Sequence, residues 1–137
     1  MVKWVLLTLL FISASMTMVL ADYPDLKGTW HADSGDIYII GDKIEESTAG
    51  VNDWVIEEQS DKVIKGTKSF LTGEEIINET FVGVFDSEGK SLYFLDQQGG
   101  LSFGTLTDPD TLSITLLNPG SMKEDGEMMV ILTLKRT

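Results

Sequence analysis

The sequence predicts an all-β fold, an antiparallel up-and-down meander closing into a barrel of about eight strands. Three observations predict it. From residue 28 onward the chain breaks into short runs in which apolar and polar residues alternate, the period of a strand with one buried face. Those runs are separated by two to five residues rich in Gly, Asp, Ser and Pro, a length that joins antiparallel neighbours. Past the first 21 residues no segment of ten or more carries a helical period. A meander of eight strands removes its exposed edges by closing on itself. The apolar face would then line the interior, and a face of Ser, Thr, Lys and Glu would meet solvent. An open sandwich is the alternative.

Residues 1–21 read as an export signal. Met1-Val2-Lys3 is a short positive start, residues 4–20 are largely apolar, and Val19-Leu20-Ala21 offers a cleavage site that leaves Asp22 as the first mature residue. The apolar run of 17 residues, broken by Ser13, Ser15 and Thr17, falls short of the roughly 20 that span a bilayer. The expected organisation is a signal peptide (1–21) and a single β-barrel domain (22–137), secreted or periplasmic, with no stable membrane insertion after cleavage. A chain of 116 residues is one domain's length and buries roughly two thirds of its unfolded surface. It contains no cysteine, so packing and edge closure must hold it together without disulfides.

Removing Lys3 leaves 9 basic against 22 acidic residues, a net charge of −13. Nucleic acid and anionic lipid are bound by basic clusters, so that balance argues against both. It suits solubility outside the cell, or attraction of a basic protein partner.

The elements follow in order. Pro24 keeps the lead-in 22–27 out of a strand. Residues 29–32 form the first strand, Asp33-Ser34-Gly35 turns it into 36–40, and Gly41-Asp42-Lys43 closes that unit. Residues 44–50 are polar, an edge strand or a loop at a barrel mouth. Strand 52–59 places Trp54 and Ile56 on one face, and Ser60-Asp61-Lys62 turns it into 63–70. A long strand covers 75–85; Asp86-Ser87-Glu88-Gly89-Lys90 turns into 91–96, and 97–100 into 101–106. Pro109 sits between Asp108 and Asp110, where its fixed φ suits a β-turn. Leu112, Ile114 and Leu116 alternate with polar residues, 118–126 is the longest loop, and Val130, Leu132 and Leu134 mark the last strand.

The opening, Gly28-Thr29-Trp30 through Gly35 to Ile40, resembles the first hairpin of avidin-type barrels and the Gly-x-Trp start of lipocalins and fatty-acid-binding proteins, the calycin group. The resemblance implies a structural role for Gly28 and Trp30, with Arg136 packing across the tryptophan as a cation on a ring. It covers about thirteen residues and the C-terminal base. It does not carry avidin's biotin-binding groups, since Ala32 and Asp36 stand where polar ones are needed. Segments 81–85, 89–93 and 102–106 are similar to small exported bacterial proteins.

Chemistry-bearing residues are sparse. His31 is the single histidine, so no Ser-His-Asp or Cys-His set can be assembled around another. Glu45-Glu46, Glu57-Glu58 and Glu74-Glu75 are adjacent on strands and point to opposite faces. The turn acids Asp86, Glu88, Asp108, Asp110, Glu124, Asp125 and Glu127 match no calcium-loop spacing. Nothing asks for a cofactor or a catalytic metal. The expectation is a non-enzymatic barrel that binds a small, mostly apolar ligand in its interior through Trp54, Phe81, Tyr93 and Phe103, with Asp36 at the mouth. Inward Gly66, Gly83 and Gly104 would leave it room. The alternative is an acidic, inhibitor-like module that binds a basic partner through its surface or loops.

Overall fold

The computed structural model describes residues 22–40, 43–117 and 127–137. The expected signal peptide, most of the turn 41–43 and the loop 118–126 lie outside the described residues. The described chain is all strand and turn: β1 (Gly28–Ala32), β2 (Gly35–Ile40), β3 (Ile44–Ala49), β4 (Asn52–Ser60), β5 (Val63–Thr72), β6 (Glu75–Phe85), β7 (Ser91–Asp96), β8 (Leu101–Asp108), β9 (Thr111–Leu117) and β10 (Glu127–Arg136). Every pairing is antiparallel. β4 through β10 follow one another around the wall, and β1 joins β4 to β10, closing a barrel of eight strands. β2 and β3 extend it beyond β10.

The expected hairpin between 29–32 and 36–40 does not form. Trp30 lies opposite Arg136 and Gly35 opposite Leu132, so β1 and β2 point the same way along β10. Between those pairs the chain advances five residues while β10 retreats four, the extra residue of a β-bulge. Gly35 is there for close approach: a Cβ would collide with Leu132 Cδ2 and the Ile131 carbonyl oxygen. The true reversal is between Ile40 and Ile44. Past it β3 and β4 continue in one register, with Ala49 opposite Gly35 and Asn52 opposite Ala32. Residues 44–49, left open between strand and loop, are an edge strand.

Alternation sets the two faces. Ile64, Gly66, Lys68 and Phe70 of β5 point inward, as do Phe81 and Phe85 of β6, Leu92 and Phe94 of β7, Leu112, Ile114 and Leu116 of β9, and Leu132 and Leu134 of β10. The inward glycines are not empty. Phe81 Cζ lies 2.9 Å from where a Gly66 Cβ would stand, and Phe94 approaches both Gly83 and Gly104 within 3 Å of theirs. Trp54, Phe81 and Phe94 then meet one another at 5.0 to 5.6 Å between ring centroids and fill the middle of the barrel.

One end is sealed by the lead-in. Gly28 turns it under the barrel with φ +129°, a backbone conformation that a side chain would strain. Leu26 and Trp30 are fully buried, and the Trp30 indole N–H donates to the Leu26 carbonyl at 2.9 Å. Gln59 fastens the same segment, accepting from Leu26 N–H and donating to the Pro24 carbonyl. The Arg136 guanidinium lies 4.5 Å over the Trp30 ring and donates to the carbonyls of Asp25, Lys27 and Pro109. Tyr23 stacks on Phe85 beside it. Replacing Trp30 by alanine removes this plug and should cost roughly 3–5 kcal/mol in denaturant unfolding; a loss under about 1 kcal/mol would show that the lead-in does not depend on the ring.

Candidate binding site

The opposite end is built differently. β4 pairs with β5 from Asn52 opposite Phe70 onward. Upstream, β3 ends the sheet order, and among the described residues no strand lies on its outer side. The wall therefore parts between β3 and the β5–β6 turn, and a slot of about 180 Å³ enters there. Ala49, Phe70 and Leu71 form its near side, while Ile37, Leu116 and Val130 reach it across the lumen. Asn52, Thr48 and Thr72 supply polar atoms. The Asn52 amide donates to the Gly50 carbonyl at 3.0 Å, whereas the buried Thr72 hydroxyl has no partner.

Cross-strand register orders what lies beneath. Asn52, Phe70 and Ile77 form the row at the slot. One row deeper stand Trp54, Lys68 and Glu79, also directly opposite one another. Lys68 and Glu79 are 1% and 2% exposed, and with Asp96 at 6% they make a charged cluster inside the barrel. Lys68 Nζ donates to Asp96 Oδ2 at 2.7 Å and stands 3.1 Å from Glu79 Oε2. It also lies 5.6 Å from the Trp54 ring centroid and 5.7 Å from that of Phe70.

The three charged groups are not equally satisfied. Asp96 opens the tight β7–β8 turn, and its Oδ1 accepts the N–H groups of Gln98 and Gly100 at 3.0 and 2.7 Å. With Lys68 on Oδ2, both of its oxygens are engaged. Glu79 is ion-paired with Lys68 through Oε2 at 3.1 Å, and neither of its oxygens accepts a hydrogen bond. The Trp54 indole N–H has no acceptor. A barrel interior thus contains a spare acceptor and a spare donor in one row, each of which is costly to leave unmade.

Of the residues expected to bind a ligand, the structure brings Trp54 and Phe81 together in the interior, 5.0 Å apart. Tyr93 and Phe103 are on the outer wall, 49% and 42% exposed, and pack edge to face with each other at 5.7 Å. Their strands explain it: Leu92, Phe94 and Asp96 take the inward positions of β7, and Ser102 and Gly104 those of β8. Asp36 also faces outward, opposite Thr48, in a shallow surface hollow with His31 and Asp33. The expectation that lysine and glutamate would meet solvent fails at Lys68 and Glu79. The signal was in the alternation, since both share the parity of their apolar neighbours.

His31 is held on the outer wall between two carboxylates, Nδ1 at 2.6 Å from Asp53 and Nε2 at 3.0 Å from Asp33. Hydrogen bonds to Asp53 and then Asp33 favour the doubly protonated ring and raise its pKa above 6.5. Among the turn acids, Asp86 and Asp108 accept N–H groups of their own turns and Asp110 pairs with Arg136 at 3.1 Å. Among the described residues no group of three or more metal-binding side chains gathers.

Comparison with known proteins adds the architecture. A redesigned β-barrel is similar to this chain with a TM-score of 0.50 and 13% identity, over 82% of this chain and 91% of that one. The likeness is one of fold. No protein-family model matches the chain, and no curated protein matches it.

Two measurements check this geometry. Lys68→Met leaves two buried carboxylates without their cation and should lower stability by roughly 3–5 kcal/mol; a neutral result would mean that the cluster is hydrated in solution. For His31, a raised folded pKa means that stability is gained below pH 6.5 and lost as pH rises through the folded value. The stability gap between wild type and His31→Gln should therefore be widest below pH 6.5 and close above it. A gap that widens with rising pH contradicts the assignment.

Proposed function

We propose that the protein is an exported, non-enzymatic barrel of calycin type that binds a small, mostly apolar ligand through its open end. The slot between β3 and the β5–β6 turn carries this reading, because apolar side chains from both sides of the lumen converge on it. Its volume is below the roughly 300–1,000 Å³ of sites for drug-sized molecules, which points to a compact ligand. The ligand meets Phe70 and Ile37 first, with Trp54 and Phe81 beneath them. The stack of Arg136 on Trp30 beside the Gly-x-Trp opening supports the calycin relationship. Residues 1–21 support export.

Native mass spectrometry of protein taken from its own host reads both points. The expected species starts at Asp22 and carries a small-molecule adduct, which Ala49→Trp, by filling the slot, should abolish. A bare wild-type protein, or an adduct that survives in the variant, contradicts ligand binding; a mass retaining residues 1–21 contradicts export.

A second reading rests on the outer wall. Val82, Leu95 and Leu101 are direct cross-strand neighbours, flanked by Tyr93 and Phe103, and all five are 42–50% exposed. Such a patch on a chain of net charge −12, or −13 once residues 1–21 are removed, suits a protein partner with a basic rim around an apolar centre. Phe103→Asp should abolish capture of that partner at low salt, and unchanged capture would exclude the patch.

A further inference from the structure

We infer that the slot leads to a subsite for a primary ammonium group, held by Glu79 beneath Phe70; the inference rests on the reading of the slot as a ligand site and names the class of ligand. Counted as one ammonium and two carboxylates, Lys68, Glu79 and Asp96 carry one net negative charge in a nearly sealed space. Both oxygens of Asp96 are engaged, with Gln98 and Gly100 on one and Lys68 on the other. Glu79 differs. Its Oε1 is buried with no hydrogen-bond partner, while Oε2 is ion-paired with Lys68 at 3.1 Å.

A hydrogen-bond donor bearing positive charge answers both the unpartnered Glu79 oxygen and the excess of carboxylates over cations in the cluster. An alcohol would supply a donor and leave the charge imbalance, and a carboxylate would add a third anion. A divalent metal would need several oxygen ligands, and Glu79 is the one carboxylate here with free capacity. The surroundings already accommodate an ammonium: Lys68 Nζ sits against the faces of Trp54 and Phe70 at 5.6 and 5.7 Å.

The slot's lining includes neither Lys68 nor Glu79, so access to the charged row requires the Phe70 ring to move. Phe70 lines the slot on one side and faces Lys68 on the other, so a ligand that displaces its ring reaches the charged row next. The slot's 180 Å³ and its Ile37, Leu116 and Val130 lining fit a short branched or cyclic hydrocarbon attached to that ammonium. The acidic exterior concentrates cations near the mouth.

The test compares three probes of one shape on the mature chain at one pH and ionic strength: isobutylammonium, isobutanol and isobutyrate, with affinity read by calorimetry and the site by the Trp54 indole NMR signal. Isobutylammonium should bind about tenfold or more tighter than isobutanol, isobutyrate should not bind, and Glu79→Gln should erase the ammonium's advantage. The comparison on wild type stands even where the variant folds poorly. Equal binding of isobutanol and isobutylammonium, or an advantage that persists in a folded Glu79→Gln, overturns the ammonium subsite and leaves the slot as a ligand site. Failure of all three probes to bind overturns both.

Discussion

β10 has one free edge and two strands to place on it. Its C-terminal end takes β1, which closes the barrel, and the rest takes β2. A single extra residue and the absence of a side chain at Gly35 let the chain pass from one to the other without leaving the edge. Everything at the open end depends on that division. Because β2 stays on β10, β3 must lie on the far side of β2, beyond the reach of β5. The gap in the wall is thus a consequence of closure at the other end, rather than a local defect in pairing.

The two ends treat polar groups in opposite ways. At the closed end most of what the lead-in buries is answered: the Trp30 indole by Leu26, the Leu26 amide by Gln59, the carbonyls of Asp25 and Lys27 by Arg136. At the open end Lys68 and Glu79 are buried one row below the slot and Asp96 one row deeper, and the Trp54 indole N–H and the Glu79 carboxylate, which is ion-paired with Lys68, make no hydrogen bond. Burying a charge cluster is seldom a route to stability, since desolvation offsets much of the attraction. The polar groups without hydrogen-bond partners stand beside an apolar entrance, which is what makes this end the place to test for ligand binding.

Strand positions were readable because each strand repeats the same two-residue pattern and each turn carries residues suited to it, as at Asp86 to Lys90 and Asp108 to Asp110. The first turn misled because Asp33-Ser34-Gly35 has turn chemistry, while Gly35 is required for a close approach that depends on a strand a hundred residues away. At the site, Trp54 and Phe81 were assigned by both residue type and alternation. Tyr93 and Phe103 face solvent because alternation does not decide their strands: both parities of β7 are apolar, and in β8 the small Ser102 and Gly104, rather than Leu101 and Phe103, turn inward. Lys68 and Glu79 were given to solvent by residue type. Pairing between β5 and β6 brings their charges together, and no property of either segment alone announces it.

From Asp22 onward the chain holds two tryptophans, Trp30 in the sealed end and Trp54 in the row beneath the slot. Hydrogen exchange of their two indole N–H groups, followed by NMR on residues 22–137, therefore reads both ends in one experiment. Trp30, buried and bonded to Leu26, should exchange only when the whole barrel unfolds. Trp54, without an acceptor and one row from the entrance, should exchange through local opening, many times faster. Equal protection of the two indoles would contradict a barrel that is locked at one end and accessible at the other.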